Sequence, residues 1–257
     1  MSYKNTFLAV CIISGFLTPN LVPIEAAVPV SVTLVTEDRL LLIEQLLVKV
    51  RALQAQLEVM LKKEVATIGA PTAADYTKGN TNARVQIVTY MDLDCPFCKL
   101  FHKTLDTIPE DLPEVSVTYR HFPIVELHPN AVKLAIAAEC AGQIGGDAAF
   151  FSVVDDIFTS RKINATTNME KVPSFIAKSG VAKSAHAKCV KSEAAGEAVE
   201  ADRTEGENRG VQGTPQSYVY LDGEEVEEIQ GAQPLSVVED LVIELLNSPR
   251  NNDLIMI

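Results

Sequence analysis

The sequence predicts an α/β domain that follows an N-terminal amphipathic helix. The stretch VQIVTYM (85–91) is β-branched and apolar, as a buried central strand should be, and a helical pattern that begins at a Cys-Pro-Phe-Cys motif follows it directly. Residues 36–64 carry the apolar periodicity of a helix, and loop residues separate them from the strand. These features place the domain boundary near Gly69.

The composition sets bounds on size and partners. The chain has 257 residues, 47% of them hydrophobic and 22% charged, enough for one large domain or for a domain with an appendage. A formal net charge of -12 argues against a nucleic-acid surface, because a phosphate backbone requires a basic face. An unfolded protein client does not require one. We therefore expect no nucleic-acid partner.

The N-terminus indicates the compartment. Lys4 precedes the apolar stretch FLAVCIISGFL, which is followed by TPN and then by EAA, the order of a secretory signal peptide over residues 1–27. Ile24 or Glu25 stands where signal cleavage prefers a small residue, so an uncleaved membrane anchor is the alternative. Either way, the rest of the chain is expected in the periplasm or otherwise outside the cytoplasm.

The cysteine count fits an oxidising compartment. Cys11 belongs to the signal segment, which leaves four cysteines in the mature protein: Cys95, Cys98, Cys140 and Cys189. An even number of cysteines outside the cytoplasm indicates pairing.

The N-terminal segment, residues 28–68, contains the amphipathic helix. Its apolar residues recur at spacings of three and four, and further apolar residues widen the stripe on one side. The stripe comprises Leu40, Ile43, Leu47, Val50, Leu57 and Leu61, widened by Leu46, Leu53 and Met60. Either this helix packs on its own domain, or copies of the chain associate through residues 36–63. In the second case Gln54 would favour one register.

The Cys-Pro-Phe-Cys motif is the candidate active site. Pro96 suits the first turn of a helix, which puts Cys95 at the helix N-terminus. There the free N–H groups and the helix dipole favour the thiolate, the nucleophilic form of cysteine. Cys98 lies on the same helix face, deeper in the domain.

Three roles compete for this cysteine pair. A zinc site needs four ligands, and the chain has no second Cys-x-x-Cys motif and only four histidines, none at ligand spacing to another. A structural disulfide across so short a ring would add little stability. Redox exchange is favoured over both, and we expect no metal and no cofactor.

Three further stretches accompany the motif in a characteristic order. After GNTNARVQIVTYMDLDCPFCKLFHKTL come VTYRHFPIVELHPNAVKLAIAAECAGQIGGDAAFFSVVDDIF and then GVQGTPQSYVYLDG. Over roughly residues 77–247 the chain resembles the DsbA-like thiol-disulfide oxidoreductases of the thioredoxin superfamily. The resemblance implies a thioredoxin-like fold over residues 69–257 with an inserted helical domain at about 128–207.

The rest of the sequence agrees with that fold. VSVTYRHF is a second strand pattern, residues 128–207 are Ala-rich and helical, QSYVYLDGEEVEEIQG is a hairpin with Asp222-Gly223 at its turn, and 234–247 form a closing helix. By resemblance, Thr214-Pro215 is the cis-proline loop, which would face the cysteine pair. Pro96, Phe97, Thr214 and Pro215 are then the expected substrate-binding residues.

The chain departs from the family pattern around the cysteines. Many relatives carry a glutamate, six residues before the first cysteine, that relays the proton of the second thiol; here that position is Thr89. Water, or Asp92 or Asp94, would have to replace it, although both aspartates also suit a solvated turn with a capping role. Phe97 stands where the strongest oxidants have histidine, so we expect an intermediate reduction potential.

The expected function is thiol-disulfide exchange through Cys95 and Cys98, forming or isomerising disulfides in unfolded or misoxidised secreted proteins. An unidentified redox partner would reset the pair. Thr214 before the proline and an N-terminal helix that joins catalytic domains are similar to the isomerase branches of the family. The alternatives are a thiol reductant of the same fold and a non-enzymatic extracytoplasmic scaffold.

The remaining candidates lie outside the motif. Cys140 and Cys189 both fall on helical stretches of the insert, and we expect a structural disulfide between them; buried free thiols or a second redox pair are the alternatives. His121 and His128 are expected to be structural or client-groove residues rather than acid-base catalysts.

Overall fold

A computed structural model describes residues 37–67 and 69–249. The expected signal peptide, its cleavage site and Cys11 lie outside these residues. The chain divides into two compact units, Met1–Gln54 and Ala55–Ile257. The domain boundary near Gly69 stays a prediction.

Five strands form one mixed sheet in the larger unit. The spatial order is β1-β3-β2-β4-β5; β2 and β3 are parallel, and the other neighbouring pairs are antiparallel. The strands are β1 (Tyr76–Gly79), β2 (Val85–Met91), β3 (Val115–His121), β4 (Gln216–Leu221) and β5 (Glu224–Gln230).

Seven α-helices accompany the sheet among the described residues. One, α2, connects the parallel strands β2 and β3, and four form the insert between β3 and β4. The helices are α1 (Glu37–Thr67), α2 (Pro96–Asp111), α3 (Ala131–Thr159), α4 (Val172–Lys178), α5 (Lys183–Val190), α6 (Ala194–Asn208) and α7 (Leu235–Leu246). A short 3₁₀ turn, Met169–Lys171, precedes α4. The thioredoxin-like fold with an inserted helical domain is confirmed.

The strongest local patterns end close to where they were predicted. Strand β2 occupies the whole of VQIVTYM, and the β4–β5 hairpin turns at Asp222 and Gly223, both with positive φ (52° and 85°). A two-residue hairpin turn of this kind suits Asp-Gly, because glycine and aspartate tolerate the left-handed region. Helix α7 lies within the predicted 234–247.

Strand β1 corrects the expectation of a loop between the N-terminal helix and β2. Its four residues pair antiparallel with β3, from Tyr76 opposite Tyr119 to Gly79 opposite Ser116. The ring of Tyr76 stacks on Phe150 of the insert, with centroids 4.1 Å apart. The sequence YTKG has no alternating apolar pattern, so this edge strand depends on partners that are distant in the chain.

Two apolar clusters cover the two faces of the sheet. The face toward α2 and α7 carries the larger cluster, which includes Val85, Ile87, Phe101, Leu105, Val117, Val219, Val238 and Val242. The other face carries a smaller aromatic cluster of Val88, Tyr90, Phe122, Val211, Tyr218 and Tyr220. The alternation along β2 therefore places Thr89 on the α2 face, beneath the cysteine motif.

A disulfide joins two helices of the insert. Cys140 of α3 and Cys189 of α5 are bonded, with Cα atoms 5.7 Å apart. This is the pairing that the sequence predicts. Helix α3 also contains a break at Gly146, where φ is 70°. Glycine reaches this backbone conformation without the steric cost that a side chain would add.

Helix α1 is apolar and exposed. Every described side chain of this helix is exposed, including Leu46 at 51% and Leu53 at 64%. Exposed apolar side chains over this length of helix are typical of an interaction site. Within residues 37–67 and 69–249, no helix is long and apolar enough to cross a membrane.

Candidate active site

The two cysteines of the motif sit at the start of α2. Cys95 is the N-cap residue, Pro96 occupies the first turn, and Cys98 lies one turn into the helix. Both cysteines are free thiols. Cys98 is fully buried and Cys95 is 4% exposed, whereas Phe97 between them is 60% exposed. The motif therefore presents an apolar ring to solvent beside a nearly covered sulfur.

The two thiols differ strongly in acidity. A hydrogen bond from Cys98 lowers the pKa of Cys95 to about 6 against the effect of burial, and the backbone N–H groups of Cys98 and Phe97 act in the same direction. Burial raises the pKa of Cys98 well above its ordinary value, and Cys95 adds to this rise. The helix N-terminus thus favours a thiolate on Cys95, while Cys98 keeps its proton.

The proline loop faces the first cysteine. The Thr214-Pro215 peptide is cis, and the Cys95 thiol donates a hydrogen bond to the Thr214 carbonyl at 3.4 Å. The structure therefore brings the Cys95–Cys98 pair together with Thr214 and Pro215, which lie more than a hundred residues later in the chain. Their client-binding roles stay predictions.

Thr89 lies beneath this motif and is fully buried. Its hydroxyl pairs with the Ser217 hydroxyl of β4 at 2.9 Å. A threonine held in this way has no carboxylate with which to accept a proton from Cys98. The structure accordingly offers no glutamate-like relay at this position.

Asp92 corrects the expectation of a solvated turn, because it is 1% exposed. One carboxylate oxygen accepts from the Asp94 N–H at 2.8 Å, and the other accepts from the Ile124 N–H and faces His128 Nδ1, both at 2.8 Å. Asp92 does accept a backbone N–H of the turn, as a capping residue would, but it does so while buried. His128 is thus a structural partner of the loop before Cys95.

Asp94 is likewise buried, at 2% exposed. Its Oδ1 accepts from the Thr167 N–H at 2.8 Å and lies 3.9 Å from Nε of Arg161. Sequence reasoning missed Arg161, which donates to the carbonyl of Cys95 at 2.9 Å. No local pattern marks this arginine, because it lies 66 residues after Cys95 and reaches the motif only through the fold of the insert.

The other histidines have structural partners. His121 is buried, with Nε2 3.5 Å from Glu139. The His102 ring lies 2.9 Å from the Tyr119 hydroxyl and 2.8 Å from Asp155. Ligand atoms of His102, Asp106 and Asp155 lie within 4.8 Å of one another, but Asp106 pairs with Lys78. Other protein groups thus engage His102 and Asp106.

Sequence comparison finds a family and several partial relatives. The family described as Thioredoxin matches residues 72–239. The Na⁺/H⁺ antiporter NhaA 1 of Salinispora arenicola is 34% identical over 71 residues, which are 28% of this chain and 11% of the antiporter. The chain thus spans only about a tenth of that relative, and antiport activity does not transfer from so short a match.

Solved structures share the architecture. Pseudomonas aeruginosa DsbA2 is 25% identical in sequence and superposes with a TM-score of 0.57. The superposition covers 68% of this chain and 96% of DsbA2. The catalytic domain of Proteus mirabilis ScsC is 20% identical and superposes with a TM-score of 0.59. The superposition covers 73% of this chain and 97% of the ScsC domain. Together with the family match and the Cys95–Cys98 site, these likenesses show that the chain belongs to the thioredoxin family and is a DsbA-like member of its superfamily.

Proposed function

We propose that this protein forms or isomerises disulfide bonds in secreted client proteins outside the cytoplasm. The observation that supports this proposal best is the difference between the two thiols. Cys95 has a lowered pKa and faces the cis-proline loop, whereas Cys98 is fully buried and has a raised pKa. Thiol-disulfide exchange requires one thiol that forms a stable thiolate and a second thiol that resolves the mixed disulfide. The predicted signal peptide supports the location.

Disulfide formation begins from the Cys95–Cys98 bridge. A client thiolate attacks the Cys95 sulfur, the bridge breaks, and Cys98 leaves and takes up a proton. A second client thiolate then attacks the client sulfur of the mixed disulfide and releases Cys95 as a thiolate. The client loses two electrons and two protons, and the enzyme pair is left reduced for a redox partner to reoxidise.

Isomerisation uses the same residues from the reduced state. The Cys95 thiolate attacks an incorrect client disulfide and forms a mixed disulfide with one client sulfur. The released client thiolate attacks another client bridge and frees a different client thiolate. That thiolate attacks the client sulfur of the mixed disulfide, forms the new client bridge and releases Cys95 as a thiolate. Cys98 resolves complexes that stall, by attacking Cys95 and leaving the client reduced.

The client contacts proposed for both reactions lie around the pair. The exposed ring of Phe97, with the exposed Leu100 one turn later on α2, offers apolar surface to an unfolded chain. The backbone before Pro215 would pair with an extended client segment, as in the family that the sequence resembles. The pair itself needs no cofactor for this chemistry.

The test of the function is the reduction potential of Cys95–Cys98, equilibrated with glutathione in protein that keeps the Cys140–Cys189 bond. We expect a value between about -120 and -200 mV, the range of disulfide donors and shufflers. A value near about -270 mV would instead indicate a thiol reductant. If the Cys95–Cys98 pair does not exchange with glutathione, the enzymatic function is rejected and the non-enzymatic scaffold remains as the alternative. Refolding of a reduced and of a scrambled substrate then separates oxidase from isomerase.

We propose further that copies of the chain associate through α1. The helix exposes large apolar side chains at the spacing that the sequence predicts, from Ile43 to Met60. A second copy of the same helix offers a surface of matching periodicity, and Gln54 within the stripe would favour one register. Joined catalytic domains would suit isomerisation, in which one client presents several sulfurs.

The double variant Leu46→Asp/Leu53→Asp is expected to shift the full-length chain to monomer, because it places charges within the apolar stripe. Analytical ultracentrifugation measures the mass. The matched control is Gln45→Asp/Ala52→Asp, which adds the same acidic residues at exposed positions off the stripe and should leave the mass unchanged. A wild-type chain that sediments as a monomer at micromolar concentration would reject the association.

A further inference from the structure

We propose that Arg161 is a positioning residue that stabilises the Cys95 thiolate from the helical insert, and that Asp94 limits this effect by partly neutralising Arg161. The inference rests on the exchange function proposed above. It adds to that function the cation that influences the reduction potential of the Cys95–Cys98 pair. The motif itself supplies no such charge, since Phe97 is neutral.

Backbone carbonyls hold the Arg161 guanidinium beside the cysteine motif. Arg161 is 7% exposed and lies two residues after the last residue of α3, Thr159. Nη2 donates to the Cys95 carbonyl at 2.9 Å, and Nη1 donates to the Ala165 carbonyl at 2.9 Å. Nη2 also donates to the Leu93 carbonyl at 3.5 Å, and Nη1 to the Ile163 carbonyl at 3.4 Å. Four carbonyls from two segments therefore fix the guanidinium plane, with one edge against the residue that carries the reactive sulfur.

Asp94 neutralises the positive charge of Arg161 only in part. The Asp94 Oδ1 atom is 3.9 Å from Arg161 Nε, which is too far for a hydrogen bond, and it accepts from the Thr167 N–H instead. Within the part of the chain that the structure describes, Arg161 Nε and Asp94 Oδ2 have no hydrogen-bond partner. The pairing is therefore loose, and in a buried setting the residual positive field extends farther than it would in water.

The charged side chains of Lys99 and Asp92, near Arg161, have other partners. Lys99 of α2 donates to the Phe158 carbonyl, which commits it to the end of α3. Asp92 is engaged by His128. Burial lowers the pKa of Arg161, and Asp94 followed by Cys95 opposes this change. Arg161 is thus the cation whose hydrogen bond reaches the Cys95 backbone.

The consequence follows from the redox balance. Stabilising the Cys95 thiolate stabilises the reduced pair, which makes the disulfide a stronger oxidant. Removing the positive charge should weaken the oxidant, whereas removing the opposing Asp94 charge should strengthen it. The two changes act on the same loop but are expected to have opposite signs.

The experiment compares Arg161→Met and Asp94→Asn with the full wild-type chain. Thiolate absorbance against pH gives the Cys95 pKa, and equilibration with glutathione gives the redox constant. Arg161→Met should raise the Cys95 pKa by about one unit and shift the glutathione equilibrium about tenfold toward the disulfide form, roughly 30 mV more negative. Asp94→Asn, which keeps an acceptor for Thr167, should shift both quantities in the opposite direction.

Arg161→Lys is the matched control, because it keeps the charge and loses the fork of donors. It should stay closer to the wild type than Arg161→Met in both readouts. A folded Arg161→Met protein with an unchanged Cys95 pKa and redox constant would overturn the inference, as would an Asp94→Asn shift of the same sign as Arg161→Met. If Arg161→Met does not fold, the Asp94→Asn result decides: a fall in the Cys95 pKa supports the inference, and no fall rejects it. Failure of the function itself would show separately, as a wild type without exchange.

Discussion

Replacing Cys95 by alanine is expected to abolish thiol-disulfide exchange, with a loss on the order of 1,000-fold or more. Cys95 carries the lowered pKa and faces Thr214, whereas the fully buried Cys98 retains its proton. Cys98 therefore cannot take over the attack on a client. Reduction of a fluorescent diglutathione substrate, with rates corrected for the uncatalysed reaction, measures the effect.

Replacing Cys98 by alanine is the matched variant, since it keeps the nucleophile and removes the resolving thiol. This protein should accumulate a mixed disulfide with its client, visible as a reducible adduct by mass spectrometry. The Cys95→Ala protein should form none. Adducts on Cys95→Ala, or full exchange in it, would show that the roles of the two cysteines are reversed or that a different thiol reacts.

Removing the Cys140–Cys189 bond with a double alanine substitution is expected to lower the free energy of unfolding by about 4 kcal/mol. The bond joins α3 to α5 across a sequence separation of 49 residues, so its loss frees a long loop in the unfolded chain. Cys140 is fully buried, and alanine there removes packing as well. Urea unfolding, with Cys95 and Cys98 reduced in both proteins, measures the difference.

The same variant separates a structural disulfide from a second redox pair. In the structural case the Cys95–Cys98 potential and the exchange rate per folded molecule stay unchanged. A stability loss below about 1 kcal/mol would contradict the structural role. A loss of exchange in molecules that are still folded would instead assign Cys140 and Cys189 to the redox chemistry.

Local patterns predicted those parts of the fold that local physics dictates. Strand β2 and the Asp222-Gly223 turn follow from side-chain periodicity and from the φ angles that a hairpin requires. Strand β1 was not predicted, because its four residues become a strand only when β3 provides hydrogen-bond partners and Phe150 covers Tyr76. Whether such a segment forms an edge strand depends on hydrogen bonds to a strand that is distant in the sequence.

The candidate site likewise has some features that the local sequence predicts and others that only the fold produces. The placement of Cys95 at a helix start follows from Pro96 and the preceding strand, so a lowered pKa was expected from the motif. The burial of Asp92 and Asp94 was not, since an Asp-Leu-Asp turn ordinarily favours water. The insert covers that turn, and only then do His128 and Arg161 become its neighbours.

The sequence by itself determined the reactive pair and its place at a helix start, because both depend on residues adjacent in the chain. The resemblance to the DsbA-like family indicated the cis-proline loop. The tertiary structure alone decided which charges surround the pair. Arg161 reaches the Cys95 carbonyl from 66 residues away, and Thr167 takes the Asp94 oxygen that would otherwise pair with it. Electrostatic energies depend on distance in space and on burial, and neither can be read from positions along a chain.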